Sequence, residues 1–133
     1  MTQIYLDENL SEYVADALNS LSKGYFPEIE VLSTKKTFGK GTPDEELIPE
    51  IGETRGILIT RDVNIFRTRM QYQLCRKHKL GVFFLKLSKG SQDHWSMVTL
   101  LVNHWREIAD LAGKGKFPFG CGLSARAGIH KLD

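Results

Sequence analysis

The sequence predicts a three-layer α/β/α fold with a mostly parallel central sheet of about four strands. Two continuous apolar runs, Ile57-Leu58-Ile59-Thr60 and Gly81-Val82-Phe83-Phe84-Leu85, have the pattern of strands buried on both faces. Amphipathic stretches of helical period separate and follow them. The alternation of strand and helix along the chain implies parallel strands joined by crossovers that cover both sheet faces.

Gln3-Ile4-Tyr5-Leu6 is the first short strand, and it stops at Asp7-Glu8-Asn9. Leu10, Val14, Ala17, Leu18 and Leu21 then recur at helical spacing, predicting a helix over residues 10–22. Asn9-x-x-Glu12 has the form of a capping box at its start, and Gly24 suits its end. Residues 28–32 read as a second strand. Residues 33–43 are polar, basic and glycine-bearing, and read as a loop. The loop ends at Thr42-Pro43-Asp44-Glu45, with a cap residue, proline at the first helical position and Glu at the third. Pro49 should kink or break the helix that follows, because a mid-helix proline removes a hydrogen bond. Gly52 and Gly56 bracket its end.

After the apolar strand 57–60 the chain reaches Arg61-Asp62. Residues 64–78 read as a helix with Ile65, Met70 or Arg69, and Leu74 on one side. Strand 81–85 is followed by the longest helix, 91–112. Trp95, Val98, Leu101, Val102, Trp105, Ile108 and Leu111 trace its apolar face, which makes both tryptophans core residues. The tail, 113–133, is rich in Gly, Phe and Lys and is expected to hold one short extended piece over 122–129 on a sheet edge, packed on the rest of a single domain spanning 1–133.

The length of 133 residues fits one domain, and 41% hydrophobic with 26% charged residues excludes a disordered chain. Nothing at the start reads as a secretory signal, and no apolar run approaches the roughly 20 residues of a membrane helix. Cys75 and Cys121 lack CxxC partners, which argues against a disulfide scaffold or zinc site and for reduced thiols in a cytoplasmic protein. The four histidines form no metal-binding pair. Residues 1–63 hold 6 Lys/Arg and 12 Asp/Glu, whereas residues 64–133 hold 12 Lys/Arg and 4 Asp/Glu. An acidic half beside a basic half suits a site where carboxylates hold cations while a neighbouring face attracts a polyanion. Segregated charges on solvated helices give the same count.

In an open parallel sheet, ligands bind beyond the carboxyl ends of the strands. Asp7 directly follows the first strand and Asp62 lies two residues past the strand 57–60. Asp44-Glu45-Glu46 opens the helix feeding that strand. Two unit charges ~4 Å apart repel by about 4 kcal/mol at an effective dielectric of 20, and a divalent cation relieves this. Mg²⁺ or Mn²⁺ takes oxygen ligands, retains water and promotes in-line displacement at a phosphodiester. Each residue also has a structural reading. Asp7 could end a strand, Asn9 or Asp62 could cap a helix, Asp44 and Glu45 suit a helix N-terminus, and Thr60 could be only the last strand residue. Gly39-Lys40-Gly41 lacks the spacing of a phosphate-binding loop.

Leu6-Asp7-Glu8-Asn9-Leu10, Gly41-Thr42-Pro43-Asp44-Glu45-Glu46 and Leu58-Ile59-Thr60-Arg61-Asp62, in that order, resemble the short PIN-like proteins, relatives of the VapC toxins of toxin–antitoxin pairs. The resemblance covers roughly the first half of the chain. It implies a PIN-like fold, a Mg²⁺- or Mn²⁺-dependent endoribonuclease, a cognate antitoxin that blocks the site, and often a homodimer. Asp7 matches the first metal-binding acid, Asp62 the acid after the later strand, and Asp44 or Glu45 the acid on the intervening helix. The chain departs from the family's pattern at a fourth acid. Asn64, close behind Asp62, stands near that place as a neutral ligand or water positioner, with Glu8 a second candidate.

On this reading Arg61 contacts a phosphate oxygen. The basic run containing Arg67 and Arg69, with Lys35, Lys36 and Lys40 on the earlier loop, guides the RNA backbone. That run serves equally as a solvated helix face or a surface docking an acidic antitoxin. Two rival functions differ in class. A phosphoryl-transfer domain with Asp7 as nucleophile usually wants a second acid two residues on, where this chain has Asn9. A degenerate PIN-like module would bind RNA or a protein without cutting.

Overall fold

A computed structural model describes residues 1–61, 64–90 and 92–132. The elements in chain order are β1 (Thr2–Leu6), α1 (Glu12–Ser22), β2 (Ile29–Ser33), α2 (Thr34–Phe38), α3 (Asp44–Glu53), β3 (Ile57–Arg61), α4 (Ile65–Lys77), β4 (Gly81–Lys86), α5 (His94–Lys114), β5 (Phe119–Ser124) and β6 (Gly128–Lys131). Among the described residues the sheet has six strands in the order β2-β1-β3-β4-β5-β6, and of their pairings only β5 with β6 is antiparallel. The expected mostly parallel sheet is present, with two more strands than the four anticipated. Among the described residues no helix is long and apolar enough to cross a membrane.

The two faces carry separate cores. Ile4, Leu6, Ile59, Phe83, Leu85 and Leu123 point to the side covered by α1 and α5. Tyr5, Leu58, Val82 and Phe84 point to the other side, against Leu47, Ile48 and Ile51 of α3 and Cys75 of α4. Successive strand residues face opposite ways, so a strand buried on both faces must be apolar throughout. That is why β3 and β4 are legible as continuous runs.

Several expectations are corrected. The cap of α1 is Ser11, whose Oγ accepts from Tyr13 N, rather than Asn9. Its buried positions are Ala15, Leu18 and Ser22, while Ala17 and Leu21 face solvent. The hydroxyl of Ser22 turns this stripe inward: it donates to Leu18 O at 2.7 Å and accepts from Trp105 Nε1 at 2.8 Å. The loop 33–43 contains the short helix α2, capped by Ser33. Helix α3 runs through Pro49 without ending, and Pro43 sits at its cap position rather than inside it. Helix α4 is rolled relative to the expected face: Gln71 and Cys75 are buried, whereas Ile65 and Met70 are exposed. Gln71 bonds to Asp44 of α3, and Gly52 of α3 lies so close to α4's end that an added Cβ would meet the His78 carbonyl at 2.2 Å. These two approaches fix the roll. On α5, Trp105 is buried as expected, but Trp95 and Val102 are exposed.

The tail is the largest change. In place of one extended piece over 122–129, β5 adds to β4 in parallel and β6 folds back along its outer edge. Cys121 and Leu123 enter the α5-side core, while Gly120 and Gly122 alternate with them on the opposite face. A strand with glycine at alternate positions shows little apolar periodicity. An added Cβ at Gly120 would meet the Tyr72 ring at 2.2 Å, so the glycine admits that ring onto the sheet.

Candidate functional site

The strand order reverses at β1. The chain moves from β1 to β2 on one side, then crosses back to β3 on the other. Their carboxyl ends therefore flank the crevice where an open α/β sheet receives ligands. Asp7 is the first residue past β1, and its amide donates to Ile59 O of β3 at 2.9 Å. Its carboxylate is held at both oxygens. Oδ1 accepts from Glu8 N at 2.7 Å, and Oδ2 accepts from Thr60 Oγ1 at 2.7 Å. Thr60 is buried and sits on β3, so the hydroxyl spans the reversal point.

A cavity of about 330 Å³ lies over this end of the sheet. Asp7, Glu8, Asn9, Asp44 and Arg67 are among its lining residues, together with Gly39 and Gly41. Asp44 enters from the first turn of α3, and its Oδ2 accepts from Gln71 Nε2 at 3.1 Å. Glu8 reaches across the loop, where its Oε2 accepts from Gly41 N at 3.1 Å. Burial raises the pKa of Asp7. The Thr60 and Glu8 N–H bonds pull it back, and the charges of Asp44 and Glu8 push it up again. Asp44 also acts behind the site: burial, with the Asp44 charge added, pushes the Cys75 thiol up to about 12.

The carboxylates of Asp7 and Asp44, with Glu8 in the same cavity, are hard oxygen donors with mutual repulsion to relieve. Mg²⁺ is usually held through one or two carboxylates, its other positions filled by water and substrate phosphates. The pair fits that open type of site. Among the described residues, no three His, Cys, Asp or Glu side chains converge into a closed metal-binding group.

The other sequence-derived residues divide clearly. Asp62 lies outside the described residues. Glu45 is exposed and not in the cavity lining, so of the two alternatives on α3 it is Asp44 that faces the cavity. Asn64 uses its Oδ1 to cap α4, accepting from Arg67 N at 2.9 Å. Arg61 ends β3 half-buried, opposite Leu85 of β4. Arg67 lines the cavity, whereas Arg69 lines a different groove beside Tyr72 and Lys86. Lys40 is exposed between the two glycines that line the cavity. Lys35 and Lys36 lie 4.0 and 3.6 Å from Glu12 and Asp16 of α1. The buried Gln71 was not anticipated. It lies one turn before Cys75 on the inward side of α4, a side that only the roll of the helix reveals.

A family model described as a PIN like domain matches residues 2–87. The match runs from β1 through β4 and contains Asp7, Asp44 and Thr60. No curated protein and no solved structure matches the chain. With well over half of its length matched by that model, the chain belongs to the PIN-like domain family.

Proposed function

We infer that this chain is a single PIN-like domain acting as a metal-dependent endoribonuclease, with Asp7 and Asp44 as its central acids. One observation carries the reading: Asp7, half-buried just past the end of β1, is clamped by Thr60 across the strand reversal while the Asp44 charge adds to the rise in its pKa. Strand ends need no such arrangement. A cation between the two carboxylates would relieve the repulsion that the fold maintains.

A bound Mg²⁺ or Mn²⁺ would supply Lewis-acid stabilisation of the phosphodiester and an activated water at neutral pH. The chain's own residues do the positioning. Thr60 and the Glu8 amide fix the Asp7 carboxylate, Gln71 fixes that of Asp44, and Arg67, the cation of the lining among the described residues, can meet a phosphate oxygen. Asp62, two positions after Thr60, is the third acid of the proposal, with Asn9 of the cavity lining as a supporting residue. Glu8 stands as the candidate for the fourth. Because β5 and β6 continue the sheet beyond residue 87, the tail belongs to the same domain in this reading.

The resemblance of the three motifs to VapC relatives supports a place in a toxin–antitoxin pair within the cytoplasm. Ile65 and Phe66, each 76% exposed on α4 close to the cavity-lining Arg67, supply apolar surface that a protein partner would cover, either the antitoxin or a second copy. The decisive experiment is cleavage of single-stranded RNA with Mn²⁺ or Mg²⁺ by the wild type, Asp7→Asn, Asp44→Asn and Asp62→Asn. The expected result is metal-dependent cleavage by the wild type that the variants do not show. Equal activity in all four proteins would refute the site, and RNA binding without cleavage would favour the degenerate module.

A further inference from the structure

A second cavity, of about 460 Å³, opens at the carboxyl ends of β4 and β5. Lys86 and Ser124, the last residues of those strands, line it from the sheet, and Trp95 lines it from the first turn of α5. Trp95 is 72% exposed. Ten residues on, Trp105 of the same helix is buried with its indole N–H bonded to Ser22. The two tryptophans thus have opposite roles. Trp105 holds α5 to α1, while Trp95 meets the ring of its neighbour His94 edge-on, at 5.0 Å between centroids.

The charged side chains that line this cavity have one sign. Among the described residues, Lys86 and Arg126 line the cavity and no acidic side chain joins them. The nearby Asp93 is committed to capping α5: its two oxygens accept from Ser96 Oγ at 2.6 Å and Ser96 N at 3.3 Å. An exposed aromatic face with two cations and neutral polar groups such as Asn103 is the chemistry that receives a single-stranded nucleotide. The base stacks on the ring while the flanking phosphates meet the cations.

Position ties this cavity to the acid site. Both lie at the carboxyl end of one sheet, and β1 and β4 are two places apart in its order, about 9.5 Å at ordinary strand spacing. A short run of nucleotides spans that distance. We propose that the Trp95 cavity is a substrate subsite, in which one base of a single-stranded RNA stacks on Trp95 while Lys86 and Arg126 hold adjoining phosphates. The proposal rests on the nuclease reading of the Asp7 site.

The test is equilibrium binding of a short single-stranded RNA oligonucleotide in EDTA, read by tryptophan fluorescence and by anisotropy of a labelled strand. RNA should quench the wild type saturably and leave the emission of Trp95→Phe, which comes from buried Trp105, unchanged. Trp95→Ala should weaken binding roughly 5- to 150-fold, the range expected for removing one base stack, and Trp95→Phe should recover most of it. The double variant Lys86→Ala/Arg126→Ala should flatten the salt dependence by about 0.7 in log–log slope for each phosphate it no longer neutralises. Unchanged affinity in Trp95→Ala overturns the proposal, as does a Trp95→Phe protein no better than Trp95→Ala. Equal quenching by an acidic peptide also overturns it, and would mark a protein-docking surface. Since no cleavage occurs in EDTA, the outcome is independent of the acid site. Stacking without metal-dependent cleavage counts against the nuclease reading alone, and cleavage without stacking counts against the subsite alone.

Discussion

Thr60 Oγ1 donates to Asp7 Oδ2 at 2.7 Å across 53 residues of sequence, joining the ends of two strands at the point where the sheet order reverses. The hydroxyl stabilises the ionised carboxylate and so pulls the Asp7 pKa down against burial. Thr60→Val keeps the shape and removes the donor. Two results are expected: stability at neutral pH falls by about 1.5–3 kcal/mol, the worth of a hydrogen bond to a charged group, and the acidic limb of any metal-dependent cleavage profile moves to higher pH, because Asp7 then ionises later. Denaturant melts and a pH–rate series check both. A profile unmoved by the substitution would mean that Thr60 does not act through Asp7.

The raised pKa of Asp7 also makes a claim about stability without metal. A carboxyl whose folded-state pKa lies above its unfolded value binds more protons in the folded chain across the interval between the two. Stability therefore falls as pH rises through that interval. Asp7→Asn removes the ionisation while its amide can still meet the Thr60 hydroxyl. In EDTA the variant should melt higher than wild type at pH 7, and the gap should close as pH falls below the ordinary carboxylate range. Added Mn²⁺ should raise the Tm of wild type and leave the variant unmoved, since only a state that binds the ion is stabilised by it. A variant less stable than wild type at pH 7 in EDTA would show that the Asp7 charge is not held at a cost.

How much of this was legible in the sequence follows from what each residue touches. The place of Asp7 at a strand end and of Asp44 at a helix start could be read, because both are local signals, but that Asp44 rather than Glu45 faces the cavity could not. Strands β3 and β4 could be read because burial on both faces demands unbroken apolar runs. Gln71 could not: its role depends on the roll of α4, set by the Gly52–His78 approach, and no local period encodes that approach. Trp95 and Trp105 share one helix, but the partner that separates their fates is Ser22, 83 residues away from Trp105. Hairpin β5–β6 was hidden because Gly120 and Gly122 erase the alternation that marks a half-buried strand.

Ser22 shows how a polar residue can organise a core. Its Oγ accepts the Trp105 indole N–H and donates to Leu18 O, so two buried polar groups satisfy each other. Ser22→Ala leaves the indole N–H unpaired in an apolar surrounding, at a cost of about 1–3 kcal/mol. Trp105→Phe, which removes the donor as well, leaves Ser22 its bond to Leu18. The double variant should therefore lose less than the sum of the singles, and a double-mutant cycle by urea denaturation measures the coupling. Strict additivity would show that the bond contributes nothing beyond packing.

Gln71 offers the sharpest separation between holding a shape and tuning a site. It is buried on α4 and donates to Asp44 Oδ2 at 3.1 Å. Groups that orient a ligand's carboxylate typically alter metal affinity 10- to 100-fold when removed. Gln71→Leu is close in volume and apolar, so it should fold with a melting temperature near that of wild type. If Asp44 takes part in binding the ion, Mn²⁺ affinity measured by calorimetry should fall by roughly that factor, while Gln71→Asn, with a shorter reach, should fall between the two. The Cys75 thiol reports independently on the same side of α4. Its pKa of about 12 makes it inert to alkylation at pH 8 in the folded wild type, and it should stay inert in Gln71→Leu if the core beneath Asp44 is intact. Weakened affinity with Cys75 still protected identifies Gln71 as a positioning residue for Asp44. Unchanged affinity would separate Asp44 from the metal.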